Sequence, residues 1–343
     1  MHAWLAERVY TEADQVAAAR AGDDAAFERL VAAHRGRLHA YCYRMLGSVH
    51  DADDAVQETL LAAWRGLGAF EGRSSLRSWL YRIATHACLR LAANRHRALR
   101  YGPPRTNTGD LGEPVTEPVW LEPYPETELA DDAADPEARY TEREGVELAF
   151  VAALQRLPAS QRAVLILREV LQFSAAEVAD VLDRSVAAVN SSLQRARRAM
   201  AGQPARDSQR AELGALGEDG RRELVAAFVR AWERGDVPAM VSLLAEDARF
   251  GMPPLPAWFR GRDDVIRFMA ERMWATPWRL TPVRASGQLA FACYQRTADG
   301  EPYRLGAINV VTLRDGRIAE LTGFLDPAVG RRFALPEKFA GSR

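Results

Sequence analysis

The chain has 343 residues, 48% hydrophobic and 27% charged, a balance that excludes wholesale disorder and at this length suggests two or three domains. A formal net charge of −1 gives no global field toward nucleic acid or membrane, and the longest uncharged stretch, Ala285 to Gln295, is too short to span a bilayer. Cys42, Cys88 and Cys293 form no CxxC pair, so no disulfide framework, zinc site or other metal or cofactor is expected.

The first residues meet Glu7 and Arg8 before a signal-like apolar core can form, so a soluble, cytoplasmic protein is expected. Asp23-Asp24 opens a helix on which Phe27, Leu30, Val31, Leu38, Tyr41, Cys42 and Met45 recur until Gly47. A second helix starts near Asp51, with Val56, Leu60, Ala63, Trp64 and Leu67 as its buried stripe. A third begins near Ser74 and carries Leu76, Trp79, Leu80, Ile83, Ala84, Ala87, Cys88 and Leu91 on one face. From Arg73 to Arg105 there are eight arginines and no acid; from Asn107 to Val146 twelve acids face Arg139 and Arg143, a net of −10, with five prolines. The basic stretch is a nucleic-acid candidate, and the acidic one reads as an extended linker.

Helical spacing returns from Glu147. Ser174-Ala175-Ala176-Glu177 is a capping box opening a short helix, Asp183-Arg184-Ser185 a turn, and Val186, Val189, Leu193, Ala196 and Met200 the stripe of an amphipathic helix. That order spells helix-turn-helix. Gln203 to Gly220 is polar and breaker-rich and reads as a second linker. Beyond it, Leu224, Phe228, Val229 and Trp232 mark a helix, with shorter ones around Met240 and Val265. Strands follow at 289–294, 307–313 and 318–322, the last two joined by Asp315-Gly316, a hairpin signal. Helices before an antiparallel sheet make this part α+β.

Three passages carry a resemblance. Asp51 to Trp64, continued by Phe70 to Ala84, resembles region 2 of bacterial sigma-70 factors, and Leu157 to Arg198 resembles region 4. Only these two regions are present, joined by a linker with no room for a region 3 domain, as in the extracytoplasmic-function group. Residues 221–340, ending in Gly323-Phe324-Leu325-Asp326-Pro327, resemble a SnoaL-like (NTF2-like) domain. The expected fold is multidomain: two all-α sigma domains at 1–100 and 147–202, linkers at 101–146 and 203–220, and an α+β NTF2-like cone at 221–340.

The resemblance implies an RNA polymerase sigma factor with no enzymatic activity, whose partners are core RNA polymerase and promoter DNA. The exposed face of the second helix (Asp53, Asp54, Gln57, Glu58, with Leu61 as an apolar anchor) would bind core polymerase. Phe70, Arg73, Arg77, Tyr81, Arg82, His86, Asn94, Arg95 and Arg97 would serve the −10 element, where Tyr81, Arg82 and His86 lie off the buried stripe. Arg184, Ser185, Asn190, Ser191, Gln194, Arg195 and Arg198 would serve the −35 element. The acidic linker would run through the polymerase's RNA-exit path. The fused C-terminal domain suggests regulation in cis in place of a separate anti-sigma factor, with Trp120, Leu121, Tyr124 and the apolar tail 324–336 as docking elements. That domain has no histidine; a small ligand, or a bifunctional protein with an enzymatic C-terminal domain, is the alternative.

Overall fold

A computed structural model describes residues 11–92, 104–111, 121–128, 146–201, 209–298 and 301–339. The first domain contains four described helices: α1 (Glu12–Arg20), α2 (Asp24–Leu46), α3 (Val49–Gly66) and α4 (Leu76–Ala92). Thr11, Asp23 and Ser48 cap the first three by accepting N–H bonds from residues three further on. Helix α1 carries no apolar stripe, only Ala19 being buried, which is why periodicity does not reveal it.

The second helical domain comprises α5 (Leu148–Gln155), α6 (Ala159–Leu165) with a π-helical turn at Ile166–Val170, α7 (Ala175–Val181) and α8 (Val186–Ala201). The Ser174–Glu177 capping box is formed in both directions. Asp183 turns the chain between α7 and α8 at φ 50°, a left-handed conformation that Asp tolerates better than most residues.

The two helical domains share one apolar core, which includes Tyr41, Leu80 and Tyr81 from the first, Phe173, Val178 and Val189 from the second, and Leu121 and Tyr124 from the linker. Arg162 fastens it. The buried guanidinium donates to the carbonyls of Leu154, Gln155 and Leu157, to the Gln155 amide oxygen, and across to the Met45 carbonyl of α2. These oxygens include orphans at the C-terminal ends of α2 and α5, so one cation satisfies two helix ends at once.

In the third domain α9 (Gln209–Arg234) extends back into the stretch expected to be a linker. Gly217, at φ 67° and ψ −177°, breaks it into two helical arms. The polar residues that resembled a linker have partners: Gln209 bonds both backbone groups of Leu313, and the Glu212 carboxylate accepts the N–H groups of Asp315 and Gly316 in the hairpin turn. Then follow α10 (Val237–Leu243), β1 (Leu244–Gly251), β2 (Trp258–Arg260), α11 (Arg262–Phe268), β3 (Trp278–Ala285), β4 (Gln288–Gln295), β5 (Arg304–Arg314), β6 (Arg317–Phe324) and α12 (Pro327–Arg332).

The sheet order is β2-β1-β6-β5-β4-β3, with only β1 and β6 parallel. Alternation along β5 separates two faces. Ala307 and Val311 face a core with Phe228, Trp232, Phe250, Phe259, Phe268 and Phe291, so aromatic side chains fill the cone. Ile308 and Val310 face outward, where Leu148 of α5, Val329 of α12 and the following Phe333 and Leu335 cover them. The apolar tail is therefore packed on the outer sheet face. No helix among the described residues is long and apolar enough to cross a membrane.

Candidate polymerase and promoter interfaces

Helix α3 buries Ala52, Ala55, Val56, Thr59 and Ala63, which leaves Asp53, Asp54, Gln57 and Glu58 on its outer side. Leu61 is 56% exposed. Trp64, placed on the buried stripe by its spacing, is 37% exposed and stands edge-on to Phe27 at 5.0 Å. The helix thus offers an acidic patch continued by two apolar side chains. Glu58 pairs with Arg90 of α4, and Asp54 lies 3.8 Å from His50.

Asp53 is held from outside its own domain. Arg332, the last residue of α12, pairs with one carboxylate oxygen, while His39 Nε2 lies 3.1 Å from the other. His39 Nδ1 meets the Tyr124 hydroxyl at 2.8 Å. Burial and the neighbouring Arg332 cation push the His39 pKa down to about 4, so the ring is neutral at physiological pH. The linker closes the same junction. Glu122 accepts from Ser48 and from the N–H groups of Val49 and His50 at the start of α3, where the helix dipole favours an anion. Tyr124 exchanges backbone and side-chain bonds with Ser286 of the sheet domain, and Pro125 bridges to Ala285.

Helix α4 is covered by the second domain. Tyr81 does not lie off the buried face: it is 1% exposed, edge-on to Tyr41 and to Phe173, both at 5.2 Å. The reading failed because α4 packs on two sides, against α2 and α7, whereas a single stripe implies one partner. Arg77 lies 4.3 Å over the Phe173 ring and donates to the Leu171 carbonyl at 2.8 Å. Arg82 and His86 are exposed as expected, but both meet Asp183 of the turn, at 2.5 and 3.7 Å. Phe70 is half-buried against Trp79, and Arg73 pairs with Glu71. Asn94, Arg95 and Arg97 lie outside the described residues.

Helix α8 is the opposite case. Arg184, Asn190, Gln194 and Arg198 are exposed. The Ser185 hydroxyl caps α8 by accepting the Ala188 N–H, and Arg195 donates to Ser191 and Ser192. Val186, expected in the stripe, is 43% exposed. Asp183, Arg332, His39 and Glu122 are the interface residues that sequence reasoning missed. Their partners lie elsewhere along the chain, and no local pattern marks such pairing.

The third domain offers no obvious reaction centre among the described residues. The cone is filled, although the buried Trp232 Nε1 and Asn309 Nδ2 have no hydrogen-bond partner there. A surface groove of about 170 Å³ lies instead between β5 and α12, lined by Ile308, Phe324, Arg304 and Arg331 among others.

Two helical domains, one holding a helix-turn-helix and the other an acid-faced helix beside a basic one, with a helix-and-sheet cone behind them, define a promoter-directed sigma architecture. The family models agree: Sigma-70 region 2 matches residues 30–98, Sigma-70 region 4 residues 147–200 and the SnoaL-like domain residues 225–321. The chain is 42% identical over 311 residues to the extracytoplasmic-function RNA polymerase sigma factor SigG of Mycobacterium tuberculosis, covering 89% of this chain and 82% of that one. It is 30% identical over 320 residues to SigJ of the same organism, covering 90% and 91%. The crystal structure of SigJ superposes with a TM-score of 0.56 at 24% identity, over 89% of this chain and 97% of that one, and so shares the fold. The chain belongs to the extracytoplasmic-function RNA polymerase sigma factors.

Proposed function

We propose that this sigma factor docks on core polymerase through Asp53, Asp54, Gln57, Glu58 and Leu61, to which Trp64 is added, and that its C-terminal domain regulates this docking in cis. The observation that carries the reading is Arg332 of α12 seated on Asp53. A carboxylate already paired with Arg332 is not free to meet a cation on the polymerase. Arg77, Arg82 and His86 serve the −10 element, with Tyr81 joining them only when Phe173 moves away. Asn190, Gln194 and Arg198 serve the −35 element, with Arg184 at its edge. Promoter opening then requires the two helical domains to separate, because the residues aimed at the melted strand lie in their interface.

Several features support a non-catalytic role for the cone: its aromatic filling, and the lack of any histidine across 221–340. The rival reading, in which the C-terminal domain binds or turns over a small molecule, draws on buried donors without a partner inside it, Trp232 Nε1 and Asn309 Nδ2 among them. We place the activity in the cytoplasm, where the polymerase is.

Tethering keeps the latch populated even if each contact is weak, so a few kcal/mol of differential binding by polymerase suffices to open it. Arg332→Ala in the full chain is expected to raise affinity for core polymerase several-fold. Reversing Asp53 and Asp54 to lysine is expected to abolish core binding with the helical circular dichroism unchanged. Unaltered co-purification with core after the double reversal would refute the docking face, and unaltered affinity after Arg332→Ala would refute the latch.

A further inference from the structure

We infer that Val186 reads the C5-methyl group of a thymine in the −35 duplex, one helical turn ahead of Asn190. This rests on the assignment of α8 to the −35 element. Val186 is the first residue of α8, and helical side chains lean toward the N-terminus, so no earlier turn of the helix shelters it. It is among the few large apolar side chains that stand exposed, at 43%. Its neighbours along the outward stripe are Asn190 and Gln194, both exposed and without a hydrogen-bonded partner among the described residues. The 43% of the valine that stands open is apolar surface available for a groove.

The major groove supplies the matching chemistry. Adenine offers N7 and N6 to an amide side chain, and thymine offers a methyl group to an apolar one. Helix-turn-helix domains present the N-terminal residues of the second helix to base edges. One helical turn rises about 5.4 Å, which spans fewer than two base-pair steps of about 3.4 Å. Val186 and Asn190 therefore fall within reach of neighbouring pairs, the first sensing a thymine methyl and the second an adenine edge. Ser185, spent on its helix cap, and Arg195, spent on Ser191 and Ser192, are less available for this discrimination.

The test uses holoenzyme assembled from the full chain and core polymerase. Promoters are selected from a library randomised at the −35 element, and each selected thymine is then replaced singly by uracil, which deletes only the methyl. Burying one such group predicts about a fourfold loss in open-complex formation at one thymine. Val186→Ala should lose about the same factor on the thymine promoter and become indifferent to uracil. Val186→Thr, which keeps one γ-methyl and the branched shape, should retain part of the response, and Asn190→Ala should leave the methyl response intact. If no thymine is methyl-sensitive, or if sensitivity persists in Val186→Ala, the inference is overturned. If selection returns no −35 preference at all, the assignment of α8 fails first and Val186 falls with it.

Discussion

Helices α4 and α8 are both candidates for touching promoter DNA, yet the free chain treats them oppositely. Along α4, Tyr81 is sealed under Phe173, Arg77 lies over the same ring, and Arg82 and His86 meet Asp183. Along α8, Val186, Asn190, Gln194 and Arg198 face outward. The difference matches the form of DNA each would meet. A duplex can be read before anything melts, so a side chain aimed at it gains nothing from concealment. A single strand exists only after melting, and stacking side chains left open beforehand would take bases indiscriminately. On the proposed assignment, the second helical domain reads one element and covers the reader of the other.

The strongest way to break this asymmetry is to remove the fastener between the domains. Arg162 is buried, its pKa brought down to about 10 by burial, and it remains charged at neutral pH. Removing it takes the Arg162 donor from the carbonyls of Met45, Gln155 and Leu157, at and just beyond the ends of α2 and α5. Arg162→Ala is therefore expected to lower stability by about 3 kcal/mol or more, read as a shifted denaturant midpoint. Protection of α4 amides against hydrogen exchange should fall with it. A loss under about 1 kcal/mol would mean that apolar contact alone holds the cover.

Acid should loosen the junction with the third domain. The groups facing His39 are Asp53, Tyr124 and Arg332, with His50 and Glu122 nearby. Its pKa of about 4 in the closed chain lies below the ordinary 6.5. Between these values an opened junction takes up a proton that the closed one refuses, so closure weakens as pH falls from about 6.5 toward 4 and is unaffected above 7. From pH 7.5 to 5 the expected loss is about 2 kcal/mol at most. His39→Gln should flatten this dependence, measured as the distance between labels on α3 and α12. An unchanged pH profile in that variant would assign the effect to another group.

Local chemistry was legible in the sequence wherever neighbours in the chain make the contact. Ser174 and Glu177 cap each other, Asp315-Gly316 turns the last hairpin, and Leu61 stands exposed as its position off the stripe required. Trp120, Leu121 and Tyr124 stood out as apolar residues among acids; the last two are buried, and Trp120 lies outside the described residues. The failures along helical stripes share one cause, a helix that packs on more than one side or is covered only in part. Tyr81 looked free because one stripe was assumed to be the whole contact surface of α4, and Trp64 and Val186 looked buried because stripe membership at a helix end does not guarantee full cover. Residues 209–216 looked like a linker because their polar side chains satisfy a hairpin turn about a hundred residues away. The ion pairs of Asp183 and Arg332 have no local signature, since a pair between distant segments leaves no periodicity to read.

The smallest expected effect sharpens the comparison most directly. Asp183 contacts Arg82 and His86, but all three side chains are roughly half exposed, and such pairs contribute only about 0.2–1 kcal/mol. Asp183→Asn removes the charge while keeping a residue that tolerates the φ of 50°. The backbone turn and α8 should therefore persist, and −35 duplex binding should not change. Affinity of the free chain for a single-stranded −10 oligonucleotide should rise by about 1.4- to fivefold, the factor that loss of one exposed pair converts to. The gain should shrink as salt is raised, because screening weakens the Asp183 contact in the unmodified chain. If instead duplex and single-strand binding rise together, Asp183 acts through general repulsion of DNA and does not specifically cover α4.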